Sequence, residues 1–68
     1  MSLSAFLKER RALAKLTQQE LSEKAGVGLR FVRDLEQGKQ TLRLDKVNQI
    51  LKLFGYELGA IESKRNEL

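Results

Sequence analysis

No cysteine and no histidine occur in this chain, and no apolar run approaches the ~20 residues that span a bilayer. Without cysteine there is no disulfide framework, no thiolate metal site and no thiol nucleophile. Without histidine there is no imidazole to act as a general base near neutral pH. Catalysis would be left to carboxylates and lysines, yet no paired carboxylates and no glycine-rich phosphate loop stand at a suitable spacing. The expectation is a protein that is not an enzyme and needs neither metal nor cofactor. The first residues, MSLSAFLKERRALAK, place their charges after their apolar residues, the reverse of a secretory signal, so the expected compartment is the cytoplasm, with no membrane partner. Proline is absent too, and with no internal repeat or low-complexity stretch nothing divides the chain into two units.

What is present is a basic, helix-forming chain of 68 residues. Thirteen Lys and Arg against nine Asp and Glu give a formal charge of +4 and a pI near 9.8. That balance suits nucleic acid or an anionic surface, although many ordinary soluble domains reach it. A domain this small buries only about 60% of its surface, so association with a second copy is expected.

Glycines supply the punctuation: Gly26, Gly28, Gly38, Gly55 and Gly59 mark off four helical segments and one short strand. The first helix is expected from Ser4 to Ala14, with Phe6, Leu7, Leu13 and Ala14 on its apolar side. The second opens on LTQQEL, in which Thr17 as cap and Glu20 three residues on make a capping box, and Leu16 and Leu21 occupy the places of a hydrophobic staple. Leu21 and Ala25 continue its stripe, and Gly26 is suited to the left-handed conformation that closes a helix. Only Val27 and Gly28 then precede a third helix beginning near Leu29. Two helices joined by so short a glycine-containing turn cross at a large angle, which is the geometry of a helix-turn-helix.

A fourth helix is predicted in LRLDKVNQILKLFG, where Leu44, Val47, Ile50, Leu51 and Phe54 recur at helical spacing, with Thr41 as its expected cap. The next residues alternate: Tyr56, Leu58 and Ala60 on one side, Glu57, Gly59 and Ile61 on the other. A strand with no mate in its own chain pairs with the same strand of a second copy. The other reading of these residues is a tail that packs Tyr56 or Leu58 on the last helix. The expected fold is therefore all-α, a compact bundle of about four short helices containing a helix-turn-helix, with a short C-terminal strand pairing across a dimer. Residues 1–61 form the domain, 56–61 its dimerisation strand, and 62–68 a mobile tail.

The third helix poses the functional question. Phe31, Val32 and Leu35 share one face, whereas Arg30, Arg33 and Gln37 cluster on the other. Two arginines on a wet helix surface are ordinary. On the second helix of a helix-turn-helix, however, the outward face is the one that enters a major groove. Arginine's fork matches the two acceptors on the groove edge of guanine, and Leu29 is placed to touch a thymine methyl. Asp34, four residues after Arg30, is placed to orient it by an ion pair. Gln37 lies too far along the helix for a base contact.

LTQQELSEKAGVGLRFVRDLEQGK resembles the helix-turn-helix of the Cro and phage-repressor-like (XRE) family, matching it at Gln18, Gly26, Val27, Leu35, Glu36, Gly38 and Lys39. The likeness extends over about residues 4 to 55 and implies a lambda-repressor-like fold. It also implies that the start of the third helix, where Leu29, Arg30 and Arg33 are the candidates, reads bases. Thr17, Gln18, Gly28, Lys39, Gln40 and Arg43 would then meet phosphates, and Arg11 would pair with Glu36 as a structural ion pair. Two departures stand out: Gly28 replaces the usual capping Ser or Thr, and Arg33 replaces a common Ser, which strengthens the charge on the reading face. TLRLDKVNQILKLFGYELGAI further resembles the HipB-like subgroup, whose members are commonly antitoxins that repress their own operon and bind a HipA-like kinase toxin. The resemblance implies a homodimeric repressor on double-stranded DNA with inverted half-sites, and strand residues Tyr56, Glu57, Leu58, Gly59, Ala60 and Ile61 at the dimer contact. The competing expectation is a protein-interaction module that docks an acidic partner on the same basic face.

Overall fold

The computed structural model describes residues 2–62. Among them the chain forms four α-helices and no strand: α1 (Leu3–Leu13), α2 (Gln18–Ala25), α3 (Leu29–Glu36) and α4 (Leu44–Leu53). The architecture is the all-α one the sequence pattern predicts.

α1 begins on Ser2, whose hydroxyl accepts the Ala5 N–H at 3.2 Å. Its fully buried residue is Leu7, with Phe6 half-buried beside it. Leu13 and Ala14, expected on the apolar side, face solvent instead, Leu13 being 66% exposed. The helix stops at Leu13, and the chain reverses through Lys15, which adopts a left-handed conformation at φ 58°. The reversal carries Leu16, rather than Leu13, against the core.

α2 has the expected capping box: the Glu20 N–H donates to Thr17 Oγ1 at 3.0 Å, and the Thr17 N–H donates to Glu20 Oε1 at 2.8 Å. Gly26 closes it at φ 74°, a conformation that a side chain would strain. Val27 follows, buried, with its N–H donated to the Ser22 carbonyl at 3.0 Å. The turn is thus anchored from inside at its middle residue. It is also held from behind, because Gln49 of α4 donates its side-chain amide to the carbonyls of Ala25 (3.2 Å) and Gly26 (3.4 Å).

α3 packs on α2 and α1, and α4 packs on α2. α4 begins later than expected: its cap is Arg43, with no side-chain cap bond, and Thr41 lies in the preceding loop. Leu44 therefore sits at the first helical position, outside the core and 68% exposed, and the half-buried Leu42 of the loop packs on the core in its stead. The remaining stripe is as predicted, with Val47, Ile50 and Leu51 buried and Phe54 half-buried. Together with Leu7, Leu21, Val27, Val32 and Leu35 they make one core under the helix-turn-helix.

After α4 the chain turns back along the domain. Tyr56 donates its N–H to the Leu51 carbonyl at 2.9 Å and sets its ring edge-on to Phe6, centroids 5.0 Å apart. The Leu58 N–H donates to Asn48 Oδ1 at 2.8 Å, and the Leu58 side chain packs on the core. Within one copy, then, Leu58 is tied to the last helix, as the tail reading has it, whereas Tyr56 packs on α1. The tail expected at 62–68 lies, apart from Glu62, outside the described residues. Among the described residues no helix is long and apolar enough to cross a membrane.

Candidate nucleic-acid interface

Glu36, the last residue of α3, is buried although it is charged. Arg11 of α1 reaches it with two charge-assisted bonds, Nε to Oε2 at 2.7 Å and Nη2 to Oε1 at 2.9 Å. Gln18 of α2 donates its amide to Oε1 at 3.1 Å. Arg11 also donates Nη1 to the Leu16 carbonyl at 2.9 Å, holding the α1–α2 turn. Burial pushes the Glu36 carboxyl upward, but the bonds from Arg11 and Gln18 and the charges of Arg11 and Lys8 outweigh it, and the group stays below the usual carboxylate range. The same pairing raises Arg11 further above its ordinary value. One carboxylate therefore joins three helices and fixes the pose of α3.

With Val32 and Leu35 buried beneath it, α3 turns Arg30, Arg33 and Gln37 outward, all exposed, while Leu29 is half-buried at its start. Among the described residues neither Arg30 nor Arg33 has a salt bridge or a side-chain hydrogen bond. Asp34 does not orient Arg30: it pairs with Lys39 at 3.6 Å. Asp34 sits at the end of α3 that faces the following loop, and the Lys39 N–H donates to its carbonyl at 3.0 Å, which brings the two side chains together. Two cationic forks are left facing solvent from one short helix.

The flanking residues are in several states. Thr17 has its N–H and its hydroxyl oxygen engaged in the capping box, which leaves the hydroxyl hydrogen as a donor. Gln18 gives one amide hydrogen to Glu36 and keeps a second. Gly28 caps α3 with no side-chain bond, and a Cβ there would meet nothing within 4 Å, so the approach to the start of α3 is open. The amides of Leu29, Arg30 and Phe31 have no acceptor within the helix. Lys39 and Gln40 are exposed in the loop after α3, Lys39 sharing its charge with Asp34. Arg43 holds Asp45 in a two-pronged pair (Nη2 to Oδ2 2.7 Å, Nε to Oδ1 3.2 Å), so its charge is locally balanced. That pair holds the Asp45 carboxyl below its usual range.

The sequence pattern did not disclose the Gln18–Glu36 bond, the Gln49 contacts or the placement of Lys46 over the Phe31 ring at 5.9 Å. Each depends on a polar side chain crossing between helices, which periodicity does not encode. No group of three or more acidic, His or Cys side chains able to hold a metal ion occurs among the described residues.

Residues 7–61 match the helix-turn-helix family. The chain is 45% identical over 59 residues to an uncharacterized HTH-type transcriptional regulator of Sinorhizobium fredii, covering 87% of this chain and 78% of that protein. No solved structure matches it.

Proposed function

The chain belongs to the helix-turn-helix family of the Cro and phage-repressor (XRE) type, a family of DNA-binding regulators rather than enzymes, and from that premise we propose that it reads an operator through the outer face of α3 as a dimeric repressor. The observation that carries this reading is the pair Arg30 and Arg33, exposed and unmatched by any carboxylate among the described residues, opposite the buried Val32 and Leu35. At least one of them reads a guanine in the major groove, and Leu29 lies at the edge of the same contact. Thr17, Gln18, Gly28, Lys39 and Gln40 position the module on phosphates, and these contacts set register without carrying sequence information. Arg43 joins them only by releasing Asp45. A module of this size buries about 600–1,000 Å², so specificity requires two copies on half-sites about 34 Å apart. Residues 56–61 supply the contact between copies. Repression follows from occupying a promoter, and the likeness of residues 41–61 to the HipB-like subgroup supports an antitoxin that represses its own operon and binds a kinase-like toxin.

The test is selection of bound duplexes from a random DNA pool near physiological salt. Enrichment of two inverted half-sites spaced by about one helical turn is the expected result. A folded sample that enriches nothing would overturn base reading and assign the arginine face to an acidic protein partner.

A further inference from the structure

Residues 57–61 are neither helix nor strand, and among the described residues none of them takes part in a backbone–backbone hydrogen bond. The segment is nevertheless fixed at its root. The Tyr56 ring lies against Phe6, the Arg10 guanidinium sits 5.3 Å from the Phe6 centroid and 5.7 Å from that of Tyr56, and the Leu58 N–H is held by Asn48 Oδ1 at 2.8 Å. In an extended chain the N–H and C=O of one residue point to the same edge, and those of its neighbours to the opposite edge. The Asn48–Leu58 bond fixes the Leu58 N–H on the α4 side; when the segment pairs as an extended strand, this alternation puts Ala60 on the same edge as Leu58 and turns the backbone groups of Glu57, Gly59 and Ile61 to the other. Ile61, an apolar side chain, is 92% exposed at the far end of this edge.

We infer that Asn48 is a positioning residue for assembly: by taking the Leu58 N–H it turns the edge of Glu57, Gly59 and Ile61 outward, and that edge pairs antiparallel with the same edge of a second copy of this chain. The inference rests on the dimer reading above and goes beyond it by naming the edge and the residue that sets it. A second copy is the fitting occupant because a two-fold axis matches an antiparallel edge to itself. Pairing about Gly59 also sets Glu57 opposite Ile61, so no like charges meet across the axis. A chain of 68 residues gains burial it cannot reach alone. An axis through Gly59 or through Ala60 leaves the same three residues in hydrogen bonding, so the edge, rather than the register, is what Asn48 decides.

The experiment is amide hydrogen exchange by NMR, above and below the monomer–dimer transition located by sedimentation equilibrium. In the dimer the amides of Glu57, Gly59 and Ile61 gain protection, that of Ala60 does not, and that of Leu58 is protected at every concentration. Asn48→Ala weakens the dimer about tenfold, Asn48→Asp, which keeps the acceptor, restores it, and the folded monomer survives in both. A dimer that exchanges through 57–61 as the monomer does, protection on Ala60 instead, or undiminished dimerisation of Asn48→Ala would overturn this inference and leave the dimer standing. A chain that remains monomeric at millimolar concentration would overturn both.

Discussion

Arg11 and Arg33 are the same side chain in two settings. Arg11 is largely enclosed, its side chain 20% exposed, and it spends its donors on Glu36 and the Leu16 carbonyl. Arg33, like Arg30, is exposed and meets no carboxylate among the described residues. The first arrangement stabilises the fold because removing either partner would strand a charge away from water. The second contributes little to the fold, since an exposed cation keeps most of its hydration and has no partner to gain from. What separates them is the acid: Glu36 lies on the buried side of α3, and the carboxylate that could have neutralised the outer side, Asp34, is turned to Lys39.

The largest effect that could break this contrast is at the enclosed pair. Glu36→Ala leaves Arg11 without its counter-charge and should cost about 3–5 kcal/mol, enough to unfold most of so small a domain, as a urea titration would record. Adding Arg11→Met to Glu36→Ala should recover part of the loss, because the stranded charge is then gone; no recovery would mean that the pair matters chiefly through packing. On the exposed side, Arg30→Ala and Arg33→Ala should each leave the urea midpoint nearly unchanged while reducing discrimination between operator and random duplex by about 1–3 kcal/mol. Lys39→Ala should weaken both duplexes alike.

Acid sharpens the same comparison. The Glu36 carboxyl is held below its ordinary value in the folded state. Its contribution is therefore complete above the unfolded value near pH 4.5 and is lost as pH falls through the lower, folded one. Stability measured from pH 6 to 2 should drop in the wild type and drop less steeply in Glu36→Gln. The smallest effects lie at the two helix starts. Thr17→Ala removes a side-chain cap and should cost about 1 kcal/mol, whereas Gly28→Ser, which has open space before it, should gain a few tenths, about 0.3 kcal/mol, by supplying the cap that α3 lacks.

Much of the fold was legible in the chain because its signals are local. Thr17 and Glu20 announce α2, Gly26 ends it, and the spacing of Val47, Ile50 and Leu51 marks α4. The errors fall where an apolar residue lies at an element's end: Leu13 and Leu44 fit the helical stripes but sit beyond the core, and Leu16 and Leu42 from the connecting segments pack on it. The outward face of α3 was legible for the same reason, as a matter of angular position along one helix. The partners of its neighbours were not: Gln18 on Glu36, Lys39 on Asp34 and Arg43 on Asp45 are choices among nearby charges that only the assembled structure makes.

Because the Glu36 carboxylate joins α1, α2 and α3, the helix proposed to read the operator cannot loosen by itself without leaving a buried charge unpaired. The domain is then expected to unfold as one unit, as small single domains do, and to lose the outer face of α3 with it. Apparent affinity for DNA must scale with the folded fraction. A substitution at Leu7, in the core and on another helix than the outer face of α3, would lower it without altering one side chain of that face, and raising the protein's stability would restore it.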